Sequence, residues 1–123
     1  MSRLLYQFAK TGLGGLLLGW VFAYLSFTIP SERLAETDSL IAFHHPSPSY
    51  PLHILIVPKG KYKSILDIPP NDPTFLIDLF SVVKNLIQEF NLESKSYRMV
   101  VNGGEAQEVN HLHFHLYSDE VVD

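Results

Sequence analysis

Three histidines occupy alternate positions near the C-terminal end of the chain: His111, His113 and His115. In an extended strand these side chains emerge on one face, and the apolar residue that follows each of them emerges on the other. Imidazole is the side chain best suited to proton transfer and metal ligation near neutral pH, and it can also act as a nucleophile. The spacing therefore predicts an imidazole-lined face that binds or transforms a ligand, backed by an apolar face.

Composition narrows the chemistry that these histidines can perform. The formal net charge of -4 argues against a nucleic-acid backbone binder, which needs a basic stripe. The chain has no cysteine, which excludes a disulfide framework, a thiolate nucleophile and cysteine-ligated zinc. Nucleophilic or acid–base chemistry by imidazole is favoured, with a zinc site held by the histidines as the alternative.

The remaining sequence predicts a small set of elements that must position the histidines. Strands are expected over residues 39–45, 52–57 and 97–102. Between the last two, apolar residues recur at helical spacing as far as Phe90, with Asp72 as the helix N-cap and Pro73 at the first helical position. The turn at Gly103 and Gly104 predicts that the last strand and the histidine segment form an antiparallel hairpin.

The N-terminal quarter of the chain differs from the rest. Residues 11–29 contain no charged side chain and form a run long enough, as a helix, to cross a hydrocarbon core of about 30 Å. We therefore predict a tail and single transmembrane helix over residues 1–29 and a separate domain over residues 30–123. A buried or dimer-interface helix is the alternative. The positive-inside rule favours a cytoplasmic N-terminus, because basic residues precede the run.

The histidine segment resembles the signature of the histidine triad (HIT) family, His-φ-His-φ-His-φ-φ, at every position from His111 to Tyr117. Further blocks between Ile29 and Tyr117 resemble the Hint branch of that family in the same order. The resemblance implies an α+β fold with an antiparallel sheet and one long helix, here preceded by the hydrophobic N-terminal helix. It also implies a homodimer that attacks the α-phosphate of a nucleotide and needs neither metal nor cofactor.

The resemblance assigns roles to individual residues. His113 would attack phosphorus and hold the nucleotidyl group covalently, and His115 would contact the phosphate oxygens. His111 and His53 would belong to the supporting polar network. The residues that would bind the base, sugar or phosphate are Phe43, His44 and Asn102.

Two further nucleotide-binding candidates depart from the family pattern. His45 stands where relatives commonly carry an aspartate that holds the ribose hydroxyls, and Glu108 stands where the Hint branch has a serine serving the leaving group. The expected function is a membrane-tethered hydrolase or transferase acting on a purine nucleoside phosphoramidate or related nucleotide conjugate. The alternative is a catalytically weak nucleotide-binding or sensing protein at a membrane.

The apolar N-terminal run leads to a first prediction, that the full-length chain remains in the membrane fraction during alkaline carbonate extraction. The physical reason is that residues 11–29 combine spanning length with a lack of charge. A chain beginning near Pro30 serves as the control and should appear in the supernatant. Full-length protein that stays in solution without detergent would instead favour the buried-helix alternative.

Overall fold

The computed structural model describes residues 33–120, so the expected transmembrane helix lies outside the described part of the chain. The strands are β1 (Arg33–Glu36), β2 (Leu40–His44), β3 (Leu52–Pro58), β4 (Arg98–Val101) and β5 (Phe114–Ser118). The helix α1 is Thr74–Glu89, and short 3₁₀ turns occupy Ile65–Asp67, Leu92–Ser94 and Gly104–Ala106. Over residues 33–120, no helix combines the length and the apolar character that a membrane crossing requires.

The five strands form one antiparallel sheet in the order β1-β2-β3-β5-β4. This is the α+β arrangement that the resemblance implied. β3 lies in the centre and all seven of its residues are buried, in agreement with its nearly unbroken apolar sequence. The expected hairpin is also present, because β4 pairs with β5 through Arg98↔Tyr117 to Val101↔Phe114.

Helix α1 covers one face of the sheet. Five of its apolar side chains enter a core built with alternate residues of β2, β3 and β5, namely Phe75, Leu79, Val82, Val83 and Leu86. The helix begins at Thr74, one residue later than expected, because Pro73 takes the N-cap position. Asp72 nevertheless acts on the helix start, since its carboxylate accepts a hydrogen bond from the Thr74 N–H at 3.2 Å.

Directly after α1, one residue adopts the left-handed backbone conformation. Asn91 has a φ of 58°, a conformation that asparagine tolerates better than most side chains and that commonly terminates helices. This agrees with the end of the helix that the apolar pattern predicted near Phe90. The following 3₁₀ turn buries Leu92 in the same core and leads into β4.

The histidine segment is only partly a strand, which corrects the sequence-based expectation. β5 begins at Phe114, so His111 and His113 precede it. The backbone N–H of Leu112 donates to the carbonyl of Tyr62 at 2.8 Å, so the segment before β5 is tied to a loop and not to a neighbouring strand. The alternation still holds, because Leu112, Phe114 and Leu116 all belong to the core under α1.

Candidate active site

The face of the sheet opposite α1 carries a cluster of histidine rings drawn from three places in the fold. His53 lies on β3, His115 lies on β5, and His45 follows the end of β2. The His45 ring stacks on that of His53 with centroids 4.3 Å apart, and the His53 and His115 centroids are 5.1 Å apart. His113 joins the cluster at 5.1 Å from His115. Strand pairing thus gathers residues that are more than 60 positions apart in the sequence.

A chain of hydrogen bonds fixes the protonation of the His53 and His115 rings. The Ser49 backbone N–H donates to Nδ1 of His53 at 3.1 Å, so that nitrogen carries no proton. In the neutral ring the proton therefore resides on His53 Nε2, which lies 2.8 Å from Nδ1 of His115 and donates to it. His115 is left with its proton on Nε2, where it is available to an acceptor such as a phosphoryl oxygen.

His113 is held in the opposite tautomer. Its Nδ1 lies 2.7 Å from the carbonyl oxygen of His111, and a carbonyl can only accept, so Nδ1 carries the proton. The Nε2 of a neutral His113 then bears a lone pair. The arrangement gives one imidazole a nucleophilic nitrogen and its neighbour a hydrogen-bond donor.

His111 anchors the segment that carries His113. Its side chain is buried, and its Nε2 lies 3.3 Å from the carbonyl oxygen of Pro58 at the end of β3. Together with the Leu112 N–H to Tyr62 bond, this contact fixes the backbone whose carbonyl orients the His113 ring. The geometry is that of a supporting group.

Burial favours the uncharged form of four of the site histidines, His53, His111, His113 and His115. Loss of hydration lowers the pKa of His53, His111 and His113 below the usual value, since the charged form is the one that loses most. The pKa of His115 is lowered to about 3, first by burial and then by the positive charges that His113, His53 and His45 would carry. At neutral pH these rings are neutral, the state that a nucleophilic imidazole requires.

The nucleotide-binding candidates divide by position. Phe43 lies on the histidine face, packed in a buried cluster with Ile41, Leu55, Val57 and Val109. Asn102 is exposed and directly follows Val101, whose pair with Phe114 is the last one between β4 and β5. Glu108 is also exposed, and its charge is a lesser influence that raises the pKa of His113.

His44 is the expected site residue that the structure places elsewhere. It pairs with Ile54 in the β2–β3 register, and Ile54 belongs to the core under α1. Its exposed ring meets Phe90, at the end of the helix, with a centroid distance of 6.1 Å. His44 is therefore on the wrong side of the sheet to line a pocket with the other histidines, and its neighbour His45 is the one that joins them.

Two tyrosines beside the cluster were not among the sequence candidates. The rings of Tyr50 and Tyr117 stack with centroids 3.9 Å apart, and Tyr50 also meets His53 edge-on at 5.2 Å. A hydrogen bond from the Tyr50 hydroxyl to Tyr117 is the main cause of the raised Tyr50 pKa, because it stabilises the protonated form of Tyr50. Alternation from His115 could have placed Tyr117 on the site face, but Tyr50 lies in a turn that carries no periodic signal.

Three of the histidines are also close enough to be considered as a metal site. Ring nitrogens of His45, His53 and His115 lie within 4.8 Å of one another. A metal-bound histidine, however, directs its other ring nitrogen as an N–H toward an acceptor. Here Nδ1 of His45 and Nδ1 of His53 face the N–H groups of Ser47 and Ser49, which are donors. The hydrogen bonds favour rings that present N–H groups to an anion over rings that ligate a cation.

These assignments predict the tautomers that nitrogen-15 NMR should detect. The His115 signals should stay those of a neutral Nε2–H ring from pH 7 to pH 5, because its pKa lies near 3. The Nδ1–H form is expected for neutral His113 over the same range. His115→Gln and His113→Gln variants provide the assignments. A His115 ring that titrates with the pKa of an exposed imidazole would contradict the burial of this ring and its hydrogen bond from His53.

Known proteins share this fold. The family model described as HIT domain matches residues 26–120. The fold is similar to a histidine triad protein from Clostridium difficile, with a TM-score of 0.73 and 31% identity over 84% of this chain and 92% of the other. It is also similar to a HIT family hydrolase from Legionella pneumophila, with a TM-score of 0.70 and 31% identity over 79% and 88% of the two chains. A histidine triad nucleotide-binding protein from Candida albicans gives 0.69 and 30% over 86% and 77%. The chain belongs to the HIT domain family.

Proposed function

We propose that this protein is a nucleotide hydrolase or transferase that works through a covalent nucleotidyl group on His113. The observation that carries the proposal is the 2.7 Å bond from His113 Nδ1–H to the His111 carbonyl, which leaves the lone pair on Nε2. That nitrogen attacks the α-phosphorus of a nucleoside phosphoramidate. The phosphorus–nitrogen bond to the leaving amine breaks, and the amine departs with the electron pair and takes up a proton from solvent.

The second step regenerates the enzyme. Water attacks the phosphorus of the nucleotidyl-histidine, the bond to His113 Nε2 breaks, and the nucleoside monophosphate is released. A transferase would use another nucleophile in place of water. Division of one difficult displacement into two easier ones is the benefit of covalent catalysis, and an imidazole leaves readily because it can be protonated.

His115 is the group proposed to stabilise charge on the phosphoryl oxygens. Its Nε2–H is kept available by the His53 hydrogen bond, and it is already oriented before substrate arrives. A fixed donor in a buried site is worth more in the transition state than one that must reorganise. A neutral imidazole carries no net charge that could offset the phosphate charge from a distance. These rings therefore act through directed N–H groups.

The substrate class proposed is a purine nucleotide or nucleotide conjugate. Support comes from the buried apolar floor around Phe43 beside the histidine cluster, and from the relatives named as a hydrolase and as a nucleotide-binding protein. His45 gives the sugar or phosphate end a donor, because its Nδ1 accepts from Ser47 and the neutral ring carries its proton on Nε2. Such a donor suits an oxygen acceptor of the ligand better than a hydroxyl that must itself donate.

We also propose that residues 11–29 tether the domain to a membrane as a single span. Their length and lack of charge are the support. The second candidate function is a nucleotide-binding or sensing protein with weak turnover. It is favoured by Glu108, an acidic residue close enough to influence His113, because a carboxylate near the nucleophile disfavours an anionic phosphate.

The role of His113 can be tested by trapping. A His113→Ala variant should lose covalent labelling by an α-phosphate-labelled adenosine phosphoramidate and fall in kcat/KM by several orders of magnitude, while it still binds nucleotide. His113→Gln should be equally inactive, since an amide has similar bulk but forms no phosphohistidine. His115→Ala should lose about 10²- to 10³-fold, as expected for one donor.

Two results would separate the alternatives. Wild-type protein that binds nucleotide but yields neither a labelled adduct nor product would establish the binding or sensing function. Equal losses in the His113, His115 and His53 alanine variants, partly restored by added zinc, would instead indicate a metal site.

We propose that the protein forms a homodimer through the outer flank of α1, which carries the exposed apolar side chains of Leu76, Ile77 and Phe80. Burial of such a patch by a second copy is favourable. The Phe80→Glu substitution should shift full-length protein from dimer to monomer in detergent-corrected light scattering. Asn85→Glu is the matched control. At 3.6 residues per turn, Asn85 lies on the flank of the helix opposite Phe80. A wild-type monomer at micromolar concentration would contradict the proposal.

A further inference from the structure

The loop after β3, residues 59–67, combines features that the proposed chemistry does not use. Two aliphatic side chains are turned to solvent: Ile65 is 50% exposed and Leu66 is 90% exposed. Three lysines lie within seven residues before them: Lys59, Lys61 and Lys63. We call residues 59–67 the basic-apolar loop.

The exposed Leu66 lies in an ordered, hydrogen-bonded turn. The Ser64 hydroxyl accepts from the Leu66 N–H at 3.2 Å, and the Asp67 carboxylate accepts from the backbone N–H groups of Lys63 and Ser64. This is a capping box around the 3₁₀ turn Ile65–Asp67. Both aliphatic side chains are thus held on the outside of a fixed turn, so their exposure is a property of the fold.

The loop is also attached firmly to the domain. The Tyr62 carbonyl accepts from the Leu112 N–H at 2.8 Å, and the Lys63 carbonyl accepts from the Gln107 side chain at 2.6 Å. Lys59 forms an ion pair with Glu36 of β1 at 2.7 Å. The apolar tip and its lysines therefore move with the residues that immediately precede His113.

The charge of the loop is opposite to that of the whole chain. The chain has a net charge of -4, whereas this loop holds three lysines and one acid, Asp67, whose carboxylate already receives backbone N–H groups. Aliphatic side chains at the tip of a basic loop suit an interface that is anionic at its surface and apolar beneath, which is the construction of an anionic bilayer. A nucleic acid would use the lysines but leave Leu66 in water.

We propose that the basic-apolar loop docks on an anionic lipid surface, with Ile65 and Leu66 entering the headgroup–acyl boundary and Lys61 and Lys63 contacting lipid phosphates or carboxylates. This goes beyond the proposed function and does not depend on the role of His113. Because the loop is bonded to the segment before His113, docking sets the orientation of the histidine face relative to the bilayer.

The absence of cysteine from the chain allows a site-specific test in the full-length protein. Leu66→Cys is labelled with a polarity-sensitive fluorophore, and the protein is reconstituted in vesicles that carry a quencher in the upper acyl region. One set contains phosphatidylserine and the other only phosphatidylcholine. Tyr97→Cys is the matched control: Tyr97 is 46% exposed and precedes β4 at the end of the sheet opposite the loop.

The expected result is quenching at position 66 that is stronger in phosphatidylserine vesicles, with little quenching at position 97. Lys61→Gln and Lys63→Gln should each lower the ratio of docked to undocked loop by about fivefold. Equal quenching at the two positions, or quenching at position 66 that ignores lipid charge, would overturn the proposal. So would a label at position 66 that is already shielded without lipid, since another segment or a second copy would then cover the tip.

Discussion

The chemistry of this site depends on which ring nitrogen of His113 carries the proton, and one hydrogen bond decides it. The acceptor is the carbonyl of His111, only two residues earlier, so the choice of tautomer is made by local backbone conformation. That conformation is set in turn by bonds to the end of β3 and to the following loop, through Pro58 and Tyr62. His113, the proposed nucleophile, is thus oriented by main-chain groups, which neither titrate nor change rotamer.

Among the residues that the structure describes, no carboxylate is seen to hydrogen bond to the His53, His113 or His115 rings. Their partners are backbone groups and one another. A carboxylate partner would favour the imidazolium, whereas burial without one favours the neutral ring. Burial removes water from several polar rings. Backbone N–H and carbonyl groups form hydrogen bonds with individual ring nitrogens and so offset this loss of hydration. Such a site is better suited to nucleophilic attack by a neutral ring nitrogen than to a role that requires a protonated imidazolium.

Much of this could be predicted from the sequence, because strands have a period of two. Alternation placed Leu112, Phe114 and Leu116 in the core and the intervening histidines on the other side, even where the segment is not yet a strand. The role that the family resemblance assigned to His44 does not fit, because the adjacent histidines point to opposite faces and the register with β3 places His44 opposite Ile54 of the core. β1 was not expected, because its four residues form an edge strand with a bulge and little apolar pattern. The donors from Ser47 and Ser49 were beyond prediction, since they are backbone groups of a turn.

The series of hydrogen bonds that begins at the Ser49 amide has a direction that cannot be reversed. An amide nitrogen can donate its hydrogen but cannot accept one, because its lone pair is delocalised into the carbonyl, so the N–H groups of His53 and His115 both point away from it. The two rings therefore cannot pass a proton back and forth while the first bond stays intact. They act as a fixed polarity filter: a ligand that offers an acceptor to His115 gains a hydrogen bond, and one that offers a donor meets repulsion. Discrimination between groups that can accept, such as phosphoryl oxygens, and groups that can only donate, such as ammonium, is then built into the orientation of a single peptide unit.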